Sequence, residues 1–233
     1  MQQIELELEG GGVLTVSLRA SLDAMPAVKQ RPLVLVVPGG GYDHVSPREG
    51  DPVALQFAAA GYHTAVLTYS VGEGAQNYRP LRQLNEALAL LRQNAGEWHI
   101  LPDKIAVCGF SAGGHLALSG AVLDIPGETA QQRPNAVILG YPVVTAGEFA
   151  HRGSFVRLAG SEDAAAQQAF TLEDKVTSDT PPVFVWHTME DKTVPVENTL
   201  LLLAALRRAG VPCEAHLFEK GAHGTSISTA EVD

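Results

Sequence analysis

Apolar positions recur along this chain with two different periods, and the alternation between them predicts a layered α/β architecture. Residues 4–8 and 13–18 alternate polar and apolar positions on either side of Gly10-Gly11-Gly12, which predicts an antiparallel hairpin with residues 4–8 at a sheet edge. Leu33-Val34-Leu35-Val36-Val37 is apolar without a break, the pattern of a strand buried on both faces of a parallel sheet. Shorter runs at 63–69, 104–108, 136–140, 183–187 and 213–218 predict further strands. Helical patterns lie between them. Residues 52–60 are stopped by Gly61, and Leu81, Leu84, Leu88 and Leu91 repeat at helical spacing toward Gly96. Residues 112–122 and a helix opened by Pro195 and stopped at Gly210 complete the set. Strands alternating with helices imply one mostly parallel sheet with helices on both faces. Residues 143–180 are too long for a plain connection and contain a short helical piece at 164–170. Their position past a strand end suits a small cap over a site. Residues 1–233 are read as a single domain that includes this candidate cap.

Composition narrows the function classes. The 233 residues are enough to bury a sizeable core, and 45% apolar with 18% charged residues is globular rather than disordered. A net charge of −10 argues against a surface that tracks nucleic-acid phosphates, so no nucleic-acid partner is expected. Apolar runs such as 200–206 are far too short to cross a bilayer, and the N-terminus has neither the basic start nor the long apolar stretch of a signal peptide. A cytoplasmic protein with no membrane partner is expected. Cys108 and Cys213 fall in different predicted strands and are read as two buried free thiols. Neither CxxC nor HExxH occurs, so no metal site is expected.

The chemistry enters at Gly109-Phe110-Ser111-Ala112-Gly113. A strand precedes it and a helix follows, the context of a nucleophile elbow, a tight turn that lifts a serine hydroxyl out of the sheet. Serine needs a base to take its proton, and the base needs a partner to fix its tautomer. Both should lie past the C-terminal ends of later strands. Asp191, in the loop after residues 183–187, is the expected acid, with Glu190 as its competitor. His223, between Ala222 and Gly224 after the last strand, is the expected base. His187 is expected to pack within its strand, and His115 to lie on a helix surface or behind the site. The chain order Ser111, Asp191, His223 is that of α/β-hydrolases. An oxyanion would need preorganised donors. The Ala112 N–H at a helix start and an N–H from Gly39-Gly40-Gly41, at Gly40 or Gly41, are the candidates. That glycine loop lacks both G-x-x-x-x-G-K-[ST] and G-x-G-x-x-G, which argues against a nucleotide cradle.

Several of these segments together resemble the small bacterial acetylesterases of the α/β-hydrolase superfamily, the acetyl-xylan-esterase-like and prolyl-oligopeptidase-like esterase/lipase proteins. They are Pro38-Gly39-Gly40-Gly41-Tyr42, Arg48-Glu49-Gly50, the Ser111 elbow through Gly114-His115-Leu116-Ala117, Trp186-His187-Thr188 with Asp191 and Val194-Pro195, and Gly221-Ala222-His223-Gly224. The resemblance implies an α/β-hydrolase fold and a cofactor-free serine esterase acting on small esters with short acyl groups, such as acetyl on sugars. It assigns Ser111, Asp191 and His223 as the triad and Ala112 with Gly40 or Gly41 as the oxyanion hole. Two departures stand out. Pro38 replaces the histidine of the relatives' His-Gly-Gly, and the chain ends about ten residues after His223, where relatives continue into a final helix. One face of the last strand is therefore expected to be uncovered, or covered by a partner such as a second copy. Amide cleavage by the same triad, as a peptidase or formamidase, and a non-catalytic binding protein of the same fold are the alternatives. Tyr42, Tyr69 and Tyr141 are read either as lining a sugar pocket, Tyr42 foremost as a substrate contact, or as core residues with bonded hydroxyls.

Overall fold

The structure, a computed structural model, describes residues 1–20, 28–129 and 131–230. The alternating N-terminal segment folds as a hairpin of β1 (Gln2–Glu7) and β2 (Val13–Leu18), with Ile4 opposite Val16. β2 pairs antiparallel with β4 (His63–Thr68). From β4 onward every pairing is parallel, through β3 (Arg31–Val37), β5 (Ile100–Phe110), β6 (Ala136–Gly140), β7 (Val183–Thr188) and β8 (Cys213–Phe218). The eight strands form one sheet in the order β1-β2-β4-β3-β5-β6-β7-β8.

The unbroken apolar run of β3 has a direct explanation. Leu33, Leu35 and Val37 point to one face, where they pack with α2 (Arg79–Gln93), α3 (Ala112–Val122) and α6 (Glu197–Ala209) through Leu84, Leu88, Leu116 and Leu202. Val34 and Val36 point to the other face, against Val53 and Ala54 of α1 (Asp51–Ala59). A strand covered on both sides needs an apolar residue at every position, and each buried leucine contributes about 1.5–3 kcal/mol relative to exposure.

Between β6 and β7 lie α4 (Arg152–Ala159) and α5 (Ala164–Gln168). The sequence pattern anticipates α5 within 164–170 but not α4, which ends at Gly160 in the left-handed region (φ 65°). The segment is fastened to the body, since the Val144 and Thr145 N–H groups donate to Asn198 Oδ1 of α6 at 2.9 and 3.1 Å. Cys108 is buried as expected, but Cys213 is exposed. It begins β8, an edge strand all of whose residues are exposed, so a strand pattern there does not imply burial. No helix among the described residues is long and apolar enough to cross a membrane.

Candidate active site

Ser111 sits at the C-terminal edge of the sheet, between β5 and α3, with φ 53° and ψ −121°. A non-glycine residue there is strained and persists only because its surroundings hold it. The Ser111 N–H donates to Gly140 O at 3.0 Å, and its carbonyl accepts from Val143 and His115 N–H, each at 3.1 Å. The flanking glycines are sterically required. A Cβ at Gly109 would run into the Gly113 backbone, and one at Gly113 into the carbonyls of Val37 and Pro38.

Two distant loops meet this serine. His223 Nε2 lies 2.8 Å from Ser111 Oγ, and His223 Nδ1 lies 2.6 Å from Asp191 Oδ2. A carboxylate only accepts, so Nδ1 carries the proton and Nε2 is left to accept from the serine hydroxyl. The Asp191 side chain is fully buried (0% exposed), whereas His223 keeps 17% exposure and faces the open side. Asp191 is held from below as well. Its Oδ1 accepts from the Thr193 and Val194 N–H groups, both at 2.9 Å. Its Oδ2 also faces His187 Nε2 at 3.2 Å. Burial alone would raise the Asp191 pKa, but hydrogen bonds from His187, His223 and Val194 N–H outweigh it and hold the carboxyl well below the usual range. Glu190, the competing acid, is exposed.

The glycine loop packs directly on the serine. A Cβ at Gly39 would lie 2.9 Å from Ser111 Cβ. Gly40 and Gly41 have φ 118° and 64°, conformations open to glycine. The Asp43 and His44 N–H groups both donate to Gly40 O, at 2.9 and 3.2 Å, which closes the turn. The Gly39 N–H is taken by Glu49 Oε2 at 2.7 Å. Among the described residues, the N–H groups of Gly40, Gly41 and Ala112 have no acceptor. The Gly113 and Gly114 N–H groups, further into the first turn of α3, are likewise without an acceptor among the described residues.

Of the two readings of Tyr42, the structure supports the core one. The ring is 1% exposed and its hydroxyl is 2.8 Å from His115 Nδ1, so it does not open to the cleft as a substrate contact. His115 is correspondingly buried rather than on the helix surface. Its Nε2 faces Phe170 O at 2.8 Å and must donate, so Nδ1 accepts from Tyr42. Burial pushes the His115 pKa down to about 4, against a smaller upward effect of the Phe170 carbonyl.

Three side chains that the sequence reading left without a role lie at the site. His187, expected only to pack, supports Asp191 and accepts from Thr199 Oγ1 at 2.7 Å. His151, at the start of α4, lies close enough that a Cβ at Gly41 would be 3.5 Å from its Cε1. Its pKa is lowered by burial first, then by His223 and Arg157. Glu49 is buried behind the glycine loop. Only Arg48-Glu49-Gly50, as a fixed string, hinted at it. An apolar hollow of about 680 Å³, lined by Phe57, Phe184, Trp186 and Phe218, reaches Phe110 and also Gly221 and Ser226 of the His223 loop but includes none of Ser111, Asp191 or His223.

A mostly parallel sheet of this order, with a strained serine between strand and helix and a histidine and an acid delivered by later loops, defines an α/β-hydrolase. The chain belongs to the BD-FAE family, whose model matches residues 23–140. It is 35% identical over 218 residues to Endo-1,4-beta-xylanase B of Butyrivibrio fibrisolvens, covering 87% of this chain and 34% of that protein. It is 30% identical over 203 residues to the acetylxylan esterase of Xylanibacter ruminicola, covering 84% of this chain and 41% of that protein. The chain thus spans about a third to two-fifths of these relatives' length. The crystal structure of an acetyl ester-xyloside bifunctional hydrolase from Caldicellulosiruptor lactoaceticus superposes with a TM-score of 0.83 at 37% identity, covering 94% of this chain and 81% of that one.

Proposed function

We propose that this chain hydrolyses carboxylic esters through an acyl-enzyme, with Ser111 as nucleophile, His223 as general base and then acid, and Asp191 as the residue that orients His223. The observation that carries the reading is the pair of hydrogen bonds linking Ser111 Oγ to His223 Nε2 at 2.8 Å and His223 Nδ1 to Asp191 Oδ2 at 2.6 Å. As Ser111 Oγ attacks the ester carbonyl, its proton passes to His223 Nε2. The imidazolium so formed is balanced by the Asp191 carboxylate. Negative charge gathers on the former carbonyl oxygen, where the Gly40, Gly41 and Ala112 N–H groups are unengaged and the start of α3 adds a favourable field. His223 returns the proton to the departing alcohol. Water, deprotonated by His223, then attacks the acyl-serine and releases the acid, and the proton returns to Ser111.

Acetylated carbohydrate is the proposed substrate class. Support comes from relatives bearing the names acetylxylan esterase and acetyl ester-xyloside hydrolase. The test is hydrolysis of p-nitrophenyl esters of increasing chain length, and of acetylated xylose, by the wild type and Ser111→Ala. Acetyl esters should be preferred over octanoyl by at least tenfold in kcat/KM, since each misfitting methylene costs about 1–3 kcal/mol. Ser111→Ala should lose roughly 10⁵–10⁶-fold in kcat. Equal rates for the two proteins would contradict the mechanism, and a preference for long chains would contradict the substrate class.

A further inference from the structure

Glu49 has no part in the reaction as written above, yet its carboxylate is among the most buried charged groups of the chain, at 3% exposure. It belongs to the short 3-10 turn Pro47–Glu49. Its Oε2 accepts from the Gly39 N–H at 2.7 Å and its Oε1 from the Tyr141 hydroxyl at 2.6 Å. The Tyr141 oxygen in turn accepts from the Ser226 N–H at 2.8 Å, and the Ser226 hydroxyl donates to Arg48 O, also at 2.8 Å. Tyr141 also packs edge-on against His223, with ring centroids 4.8 Å apart. One carboxylate is therefore bonded on one side to the glycine loop over Ser111 and on the other, through Tyr141, to the loop that carries His223.

Stability alone does not account for a charge at this place. Among the described residues, no lysine, arginine or histidine lies within ion-pair distance of Glu49. A buried carboxylate with only neutral donors carries a desolvation cost that a glutamine of the same shape would avoid. We infer that Glu49 is a positioning residue for the ester hydrolysis proposed above: it fixes the oxyanion loop through Gly39 and the His223 loop through Tyr141. This rests on the reading of Ser111 and His223 as the reacting pair. The groups that face the His223 ring are Asp191 on Nδ1, Ser111 on Nε2, Tyr141 against the ring, and His151 nearby on α4. A Gly39 N–H held by Glu49 also explains why the free donors begin at Gly40.

The experiment compares Glu49→Gln and Tyr141→Phe with the wild type on p-nitrophenyl acetate, at temperatures where circular dichroism shows each to be folded. Glu49→Gln should lower kcat by about 10- to 100-fold, the range a small misplacement of reacting groups produces, with KM little changed. Tyr141→Phe should lose less, and the double variant little more than Glu49→Gln alone, as expected for partners in one network. Amide hydrogen exchange without substrate supplies a readout independent of turnover. In Glu49→Ala the Gly39 and Ser226 amides should both exchange faster. A folded Glu49→Gln with kcat and KM both within twofold of wild type would overturn the inference. So would wild-type exchange at both amides in Glu49→Ala. If wild type and Ser111→Ala hydrolyse esters equally, the esterase reading fails on its own account, and the exchange rates still decide whether Glu49 ties the two loops.

Discussion

Asp191 and Glu49 are two buried carboxylates at one site, and they are held in opposite ways. Asp191 gathers two backbone N–H groups and faces two imidazoles, His187 and His223. Glu49 receives one N–H and one phenol hydroxyl, and no cationic side chain lies beside it among the described residues. The first arrangement pairs an acid with a group that becomes positive during the proposed reaction, so its charge has a direct counterpart. The second links two loops through neutral donors. Burial of an acid is thus not a sufficient marker of a triad member. What distinguishes the two is whether a group able to carry the proton touches the carboxylate.

The largest effect expected from breaking this contrast is at Asp191. Asp191→Asn keeps the shape but turns an acceptor into a donor and favours the wrong His223 tautomer, and kcat should fall by about 10⁴-fold. That is at least two orders of magnitude more than the loss expected for Glu49→Gln. Parallel kinetics of the two variants check the ranking, and comparable losses would erase the distinction.

A smaller effect separates the site by acid sensitivity. The folded pKa of Asp191 is depressed, so its contribution to stability is present above its unfolded value of about 3.9 and is lost as pH falls below it. His115 is also depressed, to about 4, from an unfolded value of about 6.5. Its unfolded state binds the extra proton between those values, so stability falls as pH drops from about 6.5 to 4, by about 3 kcal/mol in total, and this slope ends once the folded form also protonates. Thermal melts across pH 7 to 2 should show the upper window and the onset of the lower one. His115→Gln should make the upper one shallower, the remainder coming from His63 and His151, which are also depressed by burial, and leave the lower one. Asp191→Asn should do the reverse.

What the sequence made legible follows from which forces are local. The Ser111 turn is written in adjacent residues, because the glycines at 109 and 113 are excluded from being anything larger by backbone in contact with them. β3 is legible because burial on both faces demands an unbroken apolar run. The burial of Glu49 is not local. It depends on a tyrosine 92 positions away, and nothing in Pro47-Arg48-Glu49 marks the acid as interior. His151 escapes for a similar reason, since α4 that presents it lacks a clear apolar repeat and is held by contacts such as Arg157 to Asp43 at 2.6 Å. Cys213 misleads in the opposite direction, because a strand pattern does not say which strand lies at the sheet edge.

In the proposed reaction Ser111 forms the covalent intermediate. Its most direct measurement is intact-mass and peptide mass spectrometry after reaction with a p-nitrophenyl alkylphosphonate, which mimics the tetrahedral species and stays attached to the nucleophile. One adduct per chain is expected, on the peptide carrying Ser111, with activity lost in step and no adduct on Ser111→Ala. An active enzyme that stays unlabelled, or a label on another residue that abolishes activity, would contradict it.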